Sequence, residues 1–249
     1  PKGSASAYTI IRGNSYGNVV ITGDLNVVGN VSHYMHFENL KFRSDDSRGF
    51  TGHHIKVIKT IFQNGPSTGK YNKIIAVGTN DHANSNILFE DVLVYGTGGR
   101  YRLQFYRVDD GICRRCIIRG DGGWRVGEGN IGRPEGGLIA YECNNFEFQN
   151  PMVFDSIYRS DEEKLGNVIF NSHITVKNNI ARGAIIFNNE AAAMSYEGNG
   201  TISGGYVENT AMVDNKHGLI ANMGGSVSIE LKNVAILNSE VDGFSNFGD

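Results

Sequence analysis

The stretch 86–96, NILFEDVLVYG, holds a unit too short to fold alone. It has an apolar residue, a polar residue, a polar corner and then apolar-x-apolar: Phe89, Glu90, Asp91, Val92, Leu93 and Val94. Two strands of about three residues bury nothing by themselves. The unit makes sense only where copies stack on both sides of it. Copies recur along the chain, with Asn39, Lys59, Asp91, Arg115, Asn150, Ser172, Asn209 and Asn233 at the corner. Their spacings are 20, 32, 24, 35, 22, 37 and 24. A base period of about 22 with insertions is the signature of a repeat, and the insertions are expected as loops on one side. Asn leads at the corner because a sharp bend between strands needs a residue that tolerates the left-handed region. The copy built on Phe170 is the irregular one, since it turns His173 inward; a shift of one residue would relieve this.

A third apolar segment accompanies the copies, at 75–77, 103–105, 138–140, 184–186 and 219–221. Three short parallel strands per turn, each stacked on its equivalent in the next, predict an all-β parallel β-helix solenoid with few or no helices. About 8–9 coils rising ~4.8 Å each give a rod on the order of 40 Å long. Because the repeat runs nearly end to end, 1–249 is read as one domain. A doubly wound fold would need helices of about ten or more residues between the strands, and the pattern offers none.

Gly at 33 residues against Pro at 4 suits a fold of many sharp turns. With a net charge of -3 and no basic block, the electrostatic footprint of a nucleic-acid partner is missing. No apolar run approaches the ~18 residues of a membrane span. Cys113 and Cys116 form a C-x-x-C, but both fall on inward repeat positions, and no second C-x-x-C completes a zinc site. They read as buried small hydrophobes. The chain begins inside the repeat without a signal peptide and ends without a cap, although terminal repeats normally carry capping features. The expectation is a piece of a longer protein, or ends covered by self-association into a homo-oligomer or an end-to-end assembly.

These copies, which cover nearly all of the chain, resemble the right-handed parallel β-helix, or pectate-lyase-like, superfamily. The opening SASAYTIIRGNSYGNVVITG is similar to an early coil of secreted right-handed β-helix repeat proteins, and GGRYRLQFYRVDDGICRRCIIRGDGGW to an uncharacterised branch. The resemblance implies a right-handed solenoid and an extracellular or cell-surface location. It admits polysaccharide lyases, glycoside hydrolases, tailspikes and adhesins, so it does not fix a function. Enzymes of this group work in a lateral groove beside the long loops.

The galacturonase-like branch would show N-x-D, D-D, G-H-G and R-x-K on successive coils. Asp109-Asp110 is present, but G-H-G and R-x-K are not. A lyase needs a base for the proton beside a uronate carboxylate and a cation for the enolate. Candidates are Arg102 and Arg125 with Asp109, Asp110 and Asp121, among a wider basic set of Lys73, Arg100, Arg107, Arg114 and Arg119. Calcium is the one cofactor the sequence suggests, on Asp109, Asp110 and Asp121. Paired Asp in a Gly-rich turn is more often solvated turn chemistry. For carbohydrate, Trp124 in the loop 120–136 is the leading contact, and Tyr106 and Tyr141 align as a second platform. Against catalysis stands the outward row of the third strand, aligned as Ala76, Gln104, Ile139, Ile185 and Ile220, where a groove would carry charged groups. Two readings follow: a non-catalytic extracellular scaffold, surface or filament protein that binds carbohydrate or itself, and a lyase, ahead of a hydrolase, acting on an acidic polysaccharide.

Overall fold

The structure, a computed structural model, describes residues 3–23, 26–27, 33–43, 48–64, 73–78, 84–96, 101–120, 136–156, 166–221 and 225–246. The described residues form no helix, and the strand ladders between coils are parallel. Successive coils stack on three faces. On the first, Ile11, Phe37, Val57, Phe89, Cys113, Phe148, Ala181, Val207 and Leu231 follow one another in register. On the second the corresponding row is Ile21, Phe42, Phe62, Val94, Ile118, Val153, Ile186, Met212 and Ile236. On the third it is Phe50, Val77, Phe105, Ala140, Phe170, Tyr196 and Ala221. Side chains alternate across a strand, so these rows all point inward and fuse into one apolar column. The fold is a parallel β-helix solenoid.

Aromatic rings fill the column. Phe42 stacks on Phe62 at 5.1 Å, Phe89 meets Phe105 edge-on at 5.2 Å, and Phe170 stacks on Tyr196 at 5.1 Å. Each buried ring contributes about 1.5–3 kcal/mol of transfer free energy. At the two ends the inward rows are open: Ile11 is 38% exposed, Leu231 43% and Phe244 56%.

Seven of the eight corner residues lie in the left-handed region, with φ between 46° and 56°. The eighth is a correction. Phe170 pairs with Ala140 and Tyr196, which puts it on the third face. The missing copy is Ala181-Arg182-Gly183-Ala184-Ile185-Ile186, whose corner Gly183 has φ 63°. Residues 184–186 are therefore a second-face strand. The outward row of the third face runs Ala76, Gln104, Ile139, Ile169, Ser195, Ile220, and Ile185 is not in it. Ile139, Ile169, Ser195 and Ile220 are nonetheless buried.

Cys113 and Cys116 are inward and buried as the repeat requires, but their sulfurs are joined in a disulfide; they are not free thiols. The cause is the corner between them. Arg115 at φ 52° folds the chain back, so both side chains enter the same part of the column with Cα atoms 6.3 Å apart, within disulfide reach.

At the first coils, burial comes first among the causes holding His36 and His53 below the ordinary imidazole range. Lys56 and Arg12 add to it for His36, against Glu38, and His33 and His54 add to it for His53. The folded chain therefore takes up protons less readily than the unfolded chain. The stability these sites allow is full above the unfolded value of about 6.5 and declines as pH falls through it towards the depressed folded values. Urea midpoints measured from pH 7.5 down to 5.5 are expected to fall, and to fall less steeply in His53→Gln. Parallel slopes for the two proteins would contradict the assignment.

Candidate functional site

Among the described residues twenty non-Gly positions have positive φ, and fourteen of them are Asn or Asp. Other L-residues lose roughly 1–2 kcal/mol there. The six exceptions, Tyr34, His54, Lys59, Arg107, Arg115 and Glu142, are places where a particular side chain is kept against the preference of the backbone. They sort into three pairs. Tyr34 and His54 stack on neighbouring coils at 4.5 Å. Lys59 and Arg115 flank Asp91 at the corner between the first and second faces. Arg107 and Glu142 sit on neighbouring coils at the corner that leaves the third face, joined by an Arg107 Nε to Glu142 Oε2 bond of 2.6 Å.

The third pair marks a site. Tyr106 and Tyr141 precede Arg107 and Glu142 in the chain, pair in register, and bring their rings to 5.2 Å. His173 extends the row one coil further, 5.7 Å from Tyr141. The Arg107 guanidinium lies over the Tyr106 ring at 5.1 Å, in cation–π range. Its bond to Glu142 is the leading reason that it holds its proton more tightly than a free arginine. Glu142 itself is buried, its side chain 4% exposed. Along the same outward row, Asn171 follows Tyr141 and Glu197 follows Asn171. Asn171 Nδ2 donates to Glu197 Oε2 at 3.2 Å, and Glu197 also accepts from the Ser195 hydroxyl. Beside this row Tyr101, Ile139 and Ile169 form a small apolar cluster against Tyr141. The edge of the third face thus presents the partly exposed Tyr106, Tyr141, Asn171 and His173, backed by the buried Tyr101, Ile139, Ile169, Glu142 and Glu197.

Of the residues proposed from sequence, Tyr106 and Tyr141 come together here. Trp124, Arg125 and Asp121 lie outside the described residues. Arg102 is buried in the strand Tyr101–Tyr106 of the third face. Asp109 lies beyond the Arg107 corner, in Val108–Asp109, which pairs with the first-face strand Asn84–Glu90. The two therefore occupy different faces. Asp109 accepts a bond of 3.1 Å from the Asn144 amide, and Asp110 one of 3.0 Å from Asn145, whose own carbonyl accepts from Asn178 at 3.0 Å. Asp110, Asn145 and Asn178 all have left-handed backbone, so this is a corner ladder of Asx side chains. Among the described residues no group of three or more His, Cys, Asp or Glu is placed to hold a metal. Glu142, Asn171, His173 and Glu197 were not proposed from sequence. Carrying the Tyr106/Tyr141 alignment on by one residue would have placed Glu142 beside Arg107.

No protein-family model matches the sequence, and no curated protein matches it. Solved structures do match in shape. An alginate lyase from Paenibacillus sp. str. FPU-7 superposes with a TM-score of 0.51 at 10% identity, covering 97% of this chain and 86% of the lyase. The chain has a parallel β-helix fold. PfbA, a surface adhesin of Streptococcus pneumoniae, superposes with a TM-score of 0.52 at 11% identity, covering 92% of this chain and 59% of the adhesin. At these identities the likeness is one of fold, shared by an enzyme and an adhesin alike. No helix among the described residues is long and apolar enough to cross a membrane.

Proposed function

We propose that this chain is an extracellular carbohydrate-binding β-helix that holds a glycan along the outer edge of its third face without cleaving it. The observation that carries the reading is the row Tyr106, Tyr141, His173. These are aromatic side chains on successive coils, spaced as the coils are, next to amide and carboxylate groups. Rings in such a row offer apolar faces to the C–H faces of sugars, while the polar neighbours meet hydroxyls. The buried Cys113–Cys116 disulfide supports an oxidising, extracellular setting. Elimination chemistry is disfavoured because the cation nearest the tyrosines, Arg107, is engaged by Glu142. On the side of a lyase stands the edge-on contact of the Tyr141 and His173 rings at 5.7 Å, which brings a phenol and an imidazole, both residue types used in proton transfer, to one edge.

Affinity electrophoresis on acidic and neutral polysaccharides, run alongside absorbance of unsaturated uronate, separates the readings. The expected result is retention on a polysaccharide with no rise in absorbance. Tyr141→Ala should weaken retention about tenfold, which is about 1.4 kcal/mol. Absence of retention on every polysaccharide would end the binding proposal. An absorbance rise that Tyr141→Phe abolishes would replace it with the lyase reading.

A further inference from the structure

At the corner between the first and second faces, the far end of the first face from the Arg107 corner, lies a cavity of about 560 Å³. That is within the range of small-molecule sites. Its floor is apolar. Leu93 and Ile117 are register neighbours whose side chains point outward, and Ile117 is 39% exposed. One wall is Tyr16, carried by the turn between the strands Thr9–Arg12 and Val19–Thr22. Gly17 lets that turn lie against the solenoid. It has φ +75°, and a Cβ there would stand 3.0 Å from Ile61 Cδ1. Tyr16 lines the cavity together with Asp91, Leu93 and Ile117 of these later coils, and burial, then Asp91 and Tyr95, pushes its phenol up.

The rim is Lys59, Asp91 and Arg115, consecutive rungs of the corner ladder. The other rungs of this ladder are Asn39, which also lines the cavity, then Asn150, Gly183, Asn209 and Asn233, and Asn233 donates to Asn209 at 3.2 Å. Asn would serve the backbone at 59 and 115 as well. Lys59 at φ 46° and Arg115 at φ 52° instead occupy a conformation that disfavours them, both at the mouth of the same cavity. Arg115 is bonded to Asp91 at 2.7 Å and also to Glu90. Among the rim groups Lys59, Asp91 and Arg115, the formal charge sums to one positive.

We infer that this cavity binds a small aromatic carboxylate, its ring against Leu93, Ile117 and Tyr16 and its carboxylate at Lys59. The apolar floor and the cationic rim decide the class together. A bare anion leaves the floor wet, a neutral hydrocarbon leaves the rim unused, and a sugar acid sets hydroxyls against Leu93 and Ile117. One planar ring with one negative charge satisfies both parts. The inference is independent of the glycan site on the third face.

The test is a ligand-observed NMR saturation-transfer titration of the full chain. The probes are benzoate, phenol and glucuronate, read directly, and inorganic phosphate, which has no carbon-bound proton and is read as a competitor of the benzoate signal. Benzoate is expected to bind at least tenfold more tightly than the other three. Lys59→Asn keeps a residue suited to the left-handed corner, so it should fold normally and still lose about tenfold in benzoate affinity. Tyr16→Ala, at a half-exposed position, should do the same. Tyr141→Ala should leave benzoate binding unchanged. The inference is overturned by no benzoate signal, by equal binding of benzoate and phosphate, or by benzoate binding that survives both Lys59→Asn and Tyr16→Ala. Loss of benzoate binding in Tyr141→Ala alone would move the site to the third face and equally end it.

Discussion

Phe105→Ala is expected to cost roughly 3–5 kcal/mol, the range for deleting a fully buried ring from a core that cannot collapse around the gap. Phe105 is 0% exposed. Its ring lies 5.2 Å from Phe89, 4.6 Å from Phe146 and 6.5 Å from Phe148, so it joins coils on both sides of its own. Its backbone is fixed by parallel pairing to Val77 on one side and Ala140 on the other. Neither neighbour can move in without breaking a ladder, and Val77 and Ala140 are too small to fill the space. In a solenoid each coil contacts mainly its neighbours, so stability is close to a sum of coil and interface terms. A loss at Phe105 therefore weakens the junction between the two halves of the rod more than either half. Chemical denaturation followed by far-ultraviolet circular dichroism should show a lowered midpoint and, in the variant, a broadened or two-step transition. Phe244→Ala, at an open end where the side chain is 56% exposed, should fall within about 0.5 kcal/mol of the parent. A loss below about 1 kcal/mol for Phe105→Ala would mean that the central column is not packed as described.

What could be read in the sequence follows from which residues the backbone constrains. The corners were legible because a left-handed φ selects Asn and Asp by chemistry: Asn39, Asp91, Asn150, Asn209 and Asn233 stand where the repeat put them. Inward rows were legible because a period of two is strict, which is why Phe89, Cys113 and Phe148 aligned without a structure. The copy at Ala181–Ile186 was missed because its inward residues Ala181 and Ala184 are small and its corner is Gly183. The stretch FNSHIT at 170–175 imitated the unit with a third-face residue. That error carried Ile185 into the wrong row. The disulfide was missed because linear spacing does not reveal that Arg115 folds two inward side chains towards each other. The candidate site was half legible. Tyr106 and Tyr141 are strand residues and obey the register, whereas Arg107 and Glu142 are corner residues 35 apart in sequence, coupled only by the stacking of coils. Asp109 and Asp110 looked like chemistry because a carboxylate in a Gly-rich turn does not reveal whether it faces a ligand or the amide of the next coil.

The Arg107–Glu142 pair carries the second large effect. Removing one partner of a buried ion pair typically costs about 3–5 kcal/mol, because the other charge is left without compensation. Here the side that remains matters. Glu142 is enclosed, with 4% of its side chain exposed, while Arg107 keeps 24% in water. Arg107→Asn preserves a residue suited to the left-handed corner and strands the carboxylate; the expected loss at pH 7 is about 3 kcal/mol, the low end of the range. Glu142→Gln leaves an arginine that can still reach solvent, and should cost only about 1 kcal/mol. The double variant, with no buried charge, should be more stable than Arg107→Asn alone. The double variant also separates charge from packing: if it is no more stable than Arg107→Asn, the cost belongs to lost packing of Arg107 on the Tyr106 ring rather than to a stranded carboxylate.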